Sequence, residues 1–246
     1  MIKCLMLDFD DTLYNFSEAI KKTFFHMIKQ SGVDIYKARK CIYDLEEYNE
    51  KKFCKINILY AGDDSYNVTS EFIDSAFDYY KIFSGIIASY SNKIISSLEY
   101  NNYFLSQCRI INDCVETLMA LKALGTPIVI LSDGRTEDKI KVLKHFKIEW
   151  IFDYIITSDS TQSLKPSLKF FNKVKDLYSI DLKDCIYIGN HISDYIMSKK
   201  AHVKFYAFNA DNSLSSCADK DDIIFINSIK DLITIENRGK NDYILR

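Results

Sequence analysis

Short apolar runs recur along most of this chain and alternate with segments of helical periodicity. The runs occupy residues 2–7, 127–131, 154–157, 185–188, 203–208 and 223–226. Between the later runs, apolar side chains recur every three or four residues over 113–124, 136–146, 167–178 and 193–201. Unbroken apolar runs are typical of strands buried on both faces, and strands that alternate with helices form parallel sheets. The sequence therefore predicts the α/β class with a doubly wound parallel sheet.

The alternation fails after the first run, where apolar residues such as Phe24, Met27 and Ile28 recur at helical spacing instead. We expect an all-helical insert over residues 14–105, within an α/β domain of residues 1–13 and 106–246. The insert is rich in Tyr and Phe, which could form an aromatic substrate surface or the core of a small helical lobe. The sequence leaves both alternatives open.

The composition is that of a folded protein, with 48% hydrophobic and 27% charged residues among 246. Lys and Arg number 32 against 34 Asp and Glu, so no positive field attracts nucleic acid or an anionic membrane surface. No apolar run approaches the roughly 18 residues of a membrane span, and acidic residues at position 8 come too early for a signal peptide. We expect neither a nucleic acid nor a membrane partner.

The seven cysteines are scattered and show no C-x-x-C spacing. This pattern favours neither a disulfide framework nor a zinc site, and it fits a reducing compartment. We therefore expect a cytoplasmic protein. The sequence does not distinguish a monomer from a homodimer.

Three carboxylates follow the first predicted strand directly, in Asp8-Phe9-Asp10-Asp11-Thr12. Loops that leave the carboxyl ends of strands form the ligand crevice of open α/β sheets. Two carboxylates one residue apart could there divide nucleophilic attack and proton transfer, and such crowded charges favour a hard cation such as Mg²⁺. A simple turn or a helix cap is the structural alternative.

Three more polar clusters lie at or near the ends of predicted strands: Ser132-Asp133-Gly134, Lys165-Pro166, and the segment from Gly189 to Asp194. The first offers a hydroxyl and backbone N–H groups to anionic oxygens, and the second offers a cation. Each has an ordinary structural explanation as a turn, a surface lysine or a helix cap. His191 could face a substrate or cap a helix, and Arg39 could meet an anionic group or solvent.

Taken together and in this order, the four clusters resemble the motifs of the haloacid dehalogenase superfamily, in the subclass with a helical cap inserted after the first motif. Asp8 through Leu13 match the first motif, Leu131 through Gly134 the second, Lys165-Pro166 the third, and Gly189 through Asp194 the fourth. The segment from Lys144 to Asp159 also resembles the family's link between the second and third motifs. The resemblance implies a Rossmann-like core.

The resemblance further implies phosphoryl transfer through an aspartyl phosphate, with Asp8 as nucleophile and Asp10 as general acid and base. Lys165 would be the third catalytic residue. The residues that would surround the phosphoryl group are Thr12, Ser132, Asp133, Gly134 and Lys165. The residues that would hold Mg²⁺ are Asp8, Asp10, Asn190 and Asp194, of which Asp194 could instead support the ion indirectly or accept a hydrogen bond from Lys165. The substrate implied is the phosphomonoester of a small metabolite, and this agrees with the positioning and charge neutralisation that phosphoryl transfer needs.

Two departures from the family pattern bear on this expectation. Asn190 stands where the family usually has an aspartate, which predicts weakened Mg²⁺ affinity because an amide oxygen is a poorer ligand for a hard cation. Gln162-Ser163-Leu164 stands where many relatives carry a glycine. One alternative is therefore a phosphoester-binding or regulatory protein with weakened catalysis. Another is a 2-haloacid dehalogenase, which Asp10 disfavours because a halide leaving group needs no proton.

Overall fold

A computed structural model of the protein describes residues 2–59, 67–211, 214 and 223–232, without the side chains of residues 53–59. Most of the loop predicted over residues 211–222 lies outside the described residues. All six predicted strands are present: β1 Leu5–Leu7, β2 Ile128–Ser132, β3 Tyr154–Thr157, β4 Ile186–Gly189, β5 Lys204–Phe208 and β6 Ile224–Ile226.

The six strands form one parallel sheet in the order β3-β2-β1-β4-β5-β6. The first strand lies inside the sheet, between β2 and β4. The chain therefore crosses from one half of the sheet to the other, and the loops that follow β1, β2 and β4 become neighbours. This is the doubly wound arrangement that the sequence predicts.

Both faces of the sheet are buried, because successive side chains of a strand point to opposite sides. Leu5 and Leu7 pack into one apolar cluster, while Cys4 and Met6 pack into the other. The helices that cover the two faces are α6 Cys114–Ala123, α7 Thr136–Phe146, α8 Ser158–Thr161, α9 Lys169–Tyr178 and α10 Ile192–Ala201. The predicted helix over 167–178 thus begins two residues later than expected, at Lys169.

A run of helices lies between β1 and α6, as the helical spacing predicts. Its members are α1 Phe16–Gln30, α2 Ile35–Leu59, α3 Ser70–Phe77, α4 Tyr79–Ala88 and α5 Ser97–Gln107. They share an apolar cluster that includes Phe24 and Phe83, whose ring centroids lie 4.6 Å apart. Some aromatic residues of the insert are therefore its core. The boundaries of the cap domain at residues 14 and 105 stay a prediction.

Among the helices that the structure describes, none combines the length and the apolar composition needed to cross a bilayer.

We expect Leu5→Ala to lower the free energy of unfolding by about 2–5 kcal/mol, because it leaves a cavity beneath an interior strand. Leu5 is fully buried, whereas Leu124, at the end of α6, is 76% exposed. Leu124→Ala is the matched control and should change the unfolding free energy by less than about 0.5 kcal/mol. Urea denaturation of the two variants measures the difference, and equal effects would contradict this account of the core.

Candidate active site

The loops after β1, β2 and β4 bring the first, second and fourth motifs to one edge of the sheet. Asp8 follows β1, Ser132 ends β2 and Gly189 ends β4. The N–H of Asp8 donates to the carbonyl of Ile188 at 2.8 Å, which fixes the first motif against the fourth. The strand order thus assembles residues that are far apart in sequence.

Lys165 is buried between two carboxylates at this edge. Its Nζ lies 2.6 Å from Asp8 Oδ1 and 2.7 Å from Asp194 Oδ1. Thr12 donates its hydroxyl to the second oxygen of Asp8 at 3.0 Å. Burial alone would lower the pKa of Lys165, but Asp194 and Asp8 outweigh it and hold that pKa well above its ordinary value. The lysine is therefore a fixed cation.

Asp8 is a buried carboxylate in an environment with excess negative charge. Burial raises its pKa to about 7; the neighbouring Lys165 opposes this rise, and Asp194 adds to it. Asp133 is half-buried and accepts from the backbone N–H of Lys165, and its desolvation raises the pKa of this carboxyl too. Three carboxylates thus lie around one lysine, and two of them contact its ammonium. This imbalance favours the binding of a further cation.

Asp194 connects the fourth motif to Lys165. Its Oδ2 accepts from the N–H groups of Asn190 and His191 at 3.2 and 3.0 Å, and Tyr187 donates its hydroxyl to Oδ1 at 2.7 Å. Asp194 is also part of a capping box with His191 at the start of α10. Both sequence interpretations of Asp194, as a cap and as a partner of Lys165, therefore hold, and His191 is a helix cap.

Asp10 contacts two residues that the sequence analysis did not single out. Tyr14 donates its hydroxyl to Asp10 Oδ1 at 3.0 Å, and Lys139 Nζ lies 2.5 Å from Oδ2. The ammonium of Lys139 also lies over the rings of Phe9 and Phe16. One sequence signal could have indicated this lysine: it lies three and four residues before Val142 and Leu143, on the buried face of α7.

The second motif is fixed largely through Asp133. This carboxylate accepts from the N–H of Lys165 at 2.9 Å and from the hydroxyl of Ser158 at 3.1 Å. Ser158 in turn accepts from the N–H of Gly134 at 3.1 Å. The buried hydroxyl of Ser132 donates to the neighbouring Asp133 carbonyl at 3.2 Å. The contacts of Asp133 therefore tie the second and third motifs together, and its contact with a phosphoryl group stays a prediction.

The insert adds charged residues close to these loops. Arg135 follows the second motif and its Nη1 lies 3.1 Å from Asp78 Oδ2, between α3 and α4. Lys52 of α2 lies over the rings of Phe77 and Tyr79, 4.5 and 5.2 Å from their centroids. Burial lowers the pKa of Lys52 to about 8, although Asp133 and Asp10 act in the opposite direction.

Arg39 is exposed on α2 and does not contribute to this site.

Oxygen atoms that could ligate a hard cation are present, but they do not form a complete coordination sphere. Asn190 follows β4 and is partly buried beside Asp194. Both oxygens of Asp194 already accept hydrogen bonds. Among the described residues, no group of three or more His, Cys, Asp or Glu is placed to hold a metal ion. The oxygen-only chemistry and the excess of carboxylates fit Mg²⁺, while Asn190 supplies no charge.

We expect Gly189→Ala to displace Asp194 from Lys165 and to lower the unfolding free energy by about 1–3 kcal/mol. A Cβ at this position would lie 2.6 Å from Asp194 Cγ, whereas a Cβ at Gly85 would meet no atom within 4 Å. Gly85→Ala, in α4, is the matched control and should be neutral or stabilising because alanine favours a helix. If the two substitutions change the stability to thermal unfolding equally, the close approach of Asp194 to Gly189 does not contribute to stability.

Comparisons with known proteins agree with this geometry. The sequence profile of the haloacid dehalogenase-like hydrolases matches residues 5–208. A glyceraldehyde 3-phosphate phosphatase of Methanocaldococcus jannaschii is 28% identical over 207 residues, which cover 81% of each chain.

Two solved structures share the fold. A hydrolase of this superfamily from Bacillus subtilis, solved bound to magnesium, has a TM-score of 0.69 at 16% identity and covers 96% of this chain and 99% of that one. A phosphatase of the superfamily from Thermococcus onnurineus has a TM-score of 0.64 at 18% identity, covering 95% and 97%. Because the profile spans most of the sequence and includes all four motifs, this chain belongs to the haloacid dehalogenase-like hydrolase family.

Proposed function

We propose that the protein is a Mg²⁺-dependent phosphatase that hydrolyses the phosphomonoester of a small metabolite through an aspartyl phosphate on Asp8. The observation that carries this proposal is the buried contact of Asp8 with Lys165, with Asp10 only two residues away. The phosphatase activity named for the archaeal relative supports the same reaction.

In the first step, an oxygen of Asp8 attacks phosphorus, the bond from phosphorus to the leaving oxygen breaks, and Asp10 gives that oxygen a proton. In the second step, Asp10 removes a proton from water, which attacks phosphorus and breaks the bond to Asp8. Inorganic phosphate leaves and the Asp8 carboxylate is restored. Lys165 orients Asp8 and offsets the charge of the phosphoryl oxygens. The Ser132 hydroxyl would turn from the Asp133 carbonyl to bind one of these oxygens. Gly134, whose N–H donates to Ser158, would lie beside them and give them room.

Asp10 must exchange hydrogen-bond partners to act as the general acid and base. In the structure its two oxygens accept from Tyr14 and Lys139. We infer that at least one of these contacts is given up when the substrate's leaving oxygen arrives. Lys139 and Tyr14 are therefore positioning residues for the acid and base.

The residues that would hold Mg²⁺ are Asp8, the main-chain carbonyl of Asp10 and Asn190. When bound, the ion would neutralise the charge shared by phosphate and carboxylates. Asp194 would support it indirectly, since its oxygens fix Lys165 and the backbone of Asn190. Thr12 is also proposed to lie beside the phosphoryl group, and its hydroxyl donates to the second oxygen of Asp8.

Two further features remain proposals. A cytoplasmic location is supported by Cys4, Cys41, Cys108, Cys114 and Cys185, which are all unpaired and buried. A monomer or homodimer is proposed, without a nucleic acid or membrane partner. The Asn190 departure favours the second candidate function, a phosphoester-binding protein with weakened turnover.

We expect the wild-type protein to hydrolyse p-nitrophenyl phosphate with Mg²⁺, and Asp8→Asn to lower the rate at least about 10³-fold because the nucleophile is lost. Chelation should have a comparable effect. Asp176→Asn, on the exposed side of α9, is the matched control and should retain activity. Activity that survives in Asp8→Asn would exclude the aspartyl phosphate.

We expect Asn190→Asp to lower the Mg²⁺ concentration for half-maximal activity by about tenfold, because it restores a charged oxygen ligand. Asn172→Asp adds the same charge at an exposed position of α9 and should change nothing. Metal titrations of the three proteins provide the comparison. An unchanged midpoint in Asn190→Asp would show that residue 190 does not limit metal affinity.

A further inference from the structure

A cavity of about 330 Å³ lies between the helical insert and the catalytic loops. Its walls come from α1, α4, α5 and α7, and one end is lined by Asp10, Asp133 and Gly134. In the proposed reaction Asp10 gives its proton to the leaving oxygen. The group attached to that oxygen must therefore lie within reach of Asp10, at this end of the cavity.

Aromatic rings form much of the cavity wall. Phe16 lies 5.4 Å from Tyr79 and 6.3 Å from Phe104, measured between ring centroids. Tyr100 and Phe104 are nearly parallel, with 4° between their planes. Flat faces of this kind suit a ring-sized group that stacks against them or contacts them edge-on.

The three cations of the cavity wall are all paired with carboxylates of the protein. Five carboxylates and three cations line it. Lys139 pairs with Asp10, and Arg135 with Asp78. The third cation, Lys141, lies 3.2 Å from Asp138, which Arg135 also contacts. A leaving group that carries an anionic group besides the transferred phosphate would thus meet a wall of net negative charge. None of the described lining residues offers it an unpaired cation.

The hydroxyl of Tyr100, in the cavity wall, is available to a ligand. Tyr100 is only 7% exposed and lines the cavity. The hydrogen bonds found within the described part of the chain do not include its hydroxyl, whereas those of Tyr14 and Tyr80 both have partners. This hydroxyl is accessible from the cavity and can form a hydrogen bond with a ligand that supplies a hydroxyl or carbonyl oxygen.

We propose that this cavity binds the leaving group and selects phosphomonoesters of uncharged, ring-sized alcohols over those that carry a second carboxylate or phosphate. The inference rests on the proposed function, because it uses the position of Asp10 beside the leaving oxygen. An aromatic alcohol and a sugar share the flat, uncharged face that the cavity accepts. The Tyr100 hydroxyl favours the sugar, which has more oxygen atoms to offer it.

Lys52 is the strongest argument for the opposite selectivity. Its described contacts are with Phe77 and Tyr79, and it lines a neighbouring open groove with Tyr48 and Phe72. If this lysine reached the leaving group, it would attract a second anionic group. The experiment must therefore separate the two cases.

The first experiment compares kcat/KM within two matched pairs of substrates. Phenyl phosphate is paired with 4-carboxyphenyl phosphate, and glucose 6-phosphate with glucose 1,6-bisphosphate. We expect the second member of each pair to be at least about tenfold poorer, because its extra charge is buried without a partner. Equal or better use of the charged substrates, lost again in Lys52→Met, would overturn the inference and leave the phosphatase intact.

The second experiment distinguishes the sugar from the aromatic alcohol. Tyr100→Phe should raise KM for glucose 6-phosphate about three- to tenfold more than KM for phenyl phosphate, because one hydrogen bond is lost only with the sugar. Tyr103→Phe is the matched control, since Tyr103 of the same helix stacks on His26 outside the cavity. An equal effect of Tyr100→Phe on both substrates would assign the cavity to aromatic alcohols.

Failure of the proposed function has a different signature. If none of the four substrates is hydrolysed, calorimetric titration of the wild-type protein with phenyl phosphate and 4-carboxyphenyl phosphate still tests the cavity. We expect saturable binding of the first, weakened about tenfold or more by the carboxylate of the second. Equal affinity for the two compounds, or binding of neither, would overturn the inference.

Discussion

The buried contact of Lys165 with Asp8 and Asp194 is the interaction on which the rest of the site depends. Removing charges from water costs several kcal/mol per ion, so such a group persists only when its geometry and hydrogen bonds are nearly complete. Thr12, Tyr187 and the N–H groups of Asn190 and His191 supply those bonds. Gly189 is constrained for the same reason, since any side chain there would collide with Asp194.

The contacts between the insert and the core follow a similar logic. Each cation among the described residues of the cavity wall has a carboxylate partner, so the cavity presents aromatic rings, hydroxyl groups and a net negative charge. The pairing of Lys139 with Asp10 has a second consequence, because it occupies the residue that the proposed reaction needs as acid and base. In the proposed reaction, recognition of the leaving group and activation of Asp10 would thus be coupled through one contact.

Asn190 affects the balance of charge at this edge of the sheet. Asp8 and Asp194 already share the ammonium of Lys165, and an aspartate at position 190 would add a further negative charge beside them. The amide avoids that repulsion in the absence of metal, but in the proposed function it would give up attraction for Mg²⁺. Asparagine in place of aspartate would therefore favour the metal-free state over the metal-bound one. The effect of Asn190 on metal affinity therefore bears on both candidate functions, the phosphatase and the phosphoester-binding protein.

The sequence alone determined the class of the fold, all six strands and the four motifs, because buried parallel strands and helices have distinct apolar periods that local residues specify. It also indicated that Asp194 could cap a helix or meet Lys165. Only the tertiary structure showed that Asp194 does both, that Asp10 faces Tyr14 and Lys139, and that Asp133 ties two motifs together. These contacts join residues far apart in the chain or set the direction of a side chain. Packing decides both, and no local pattern encodes them.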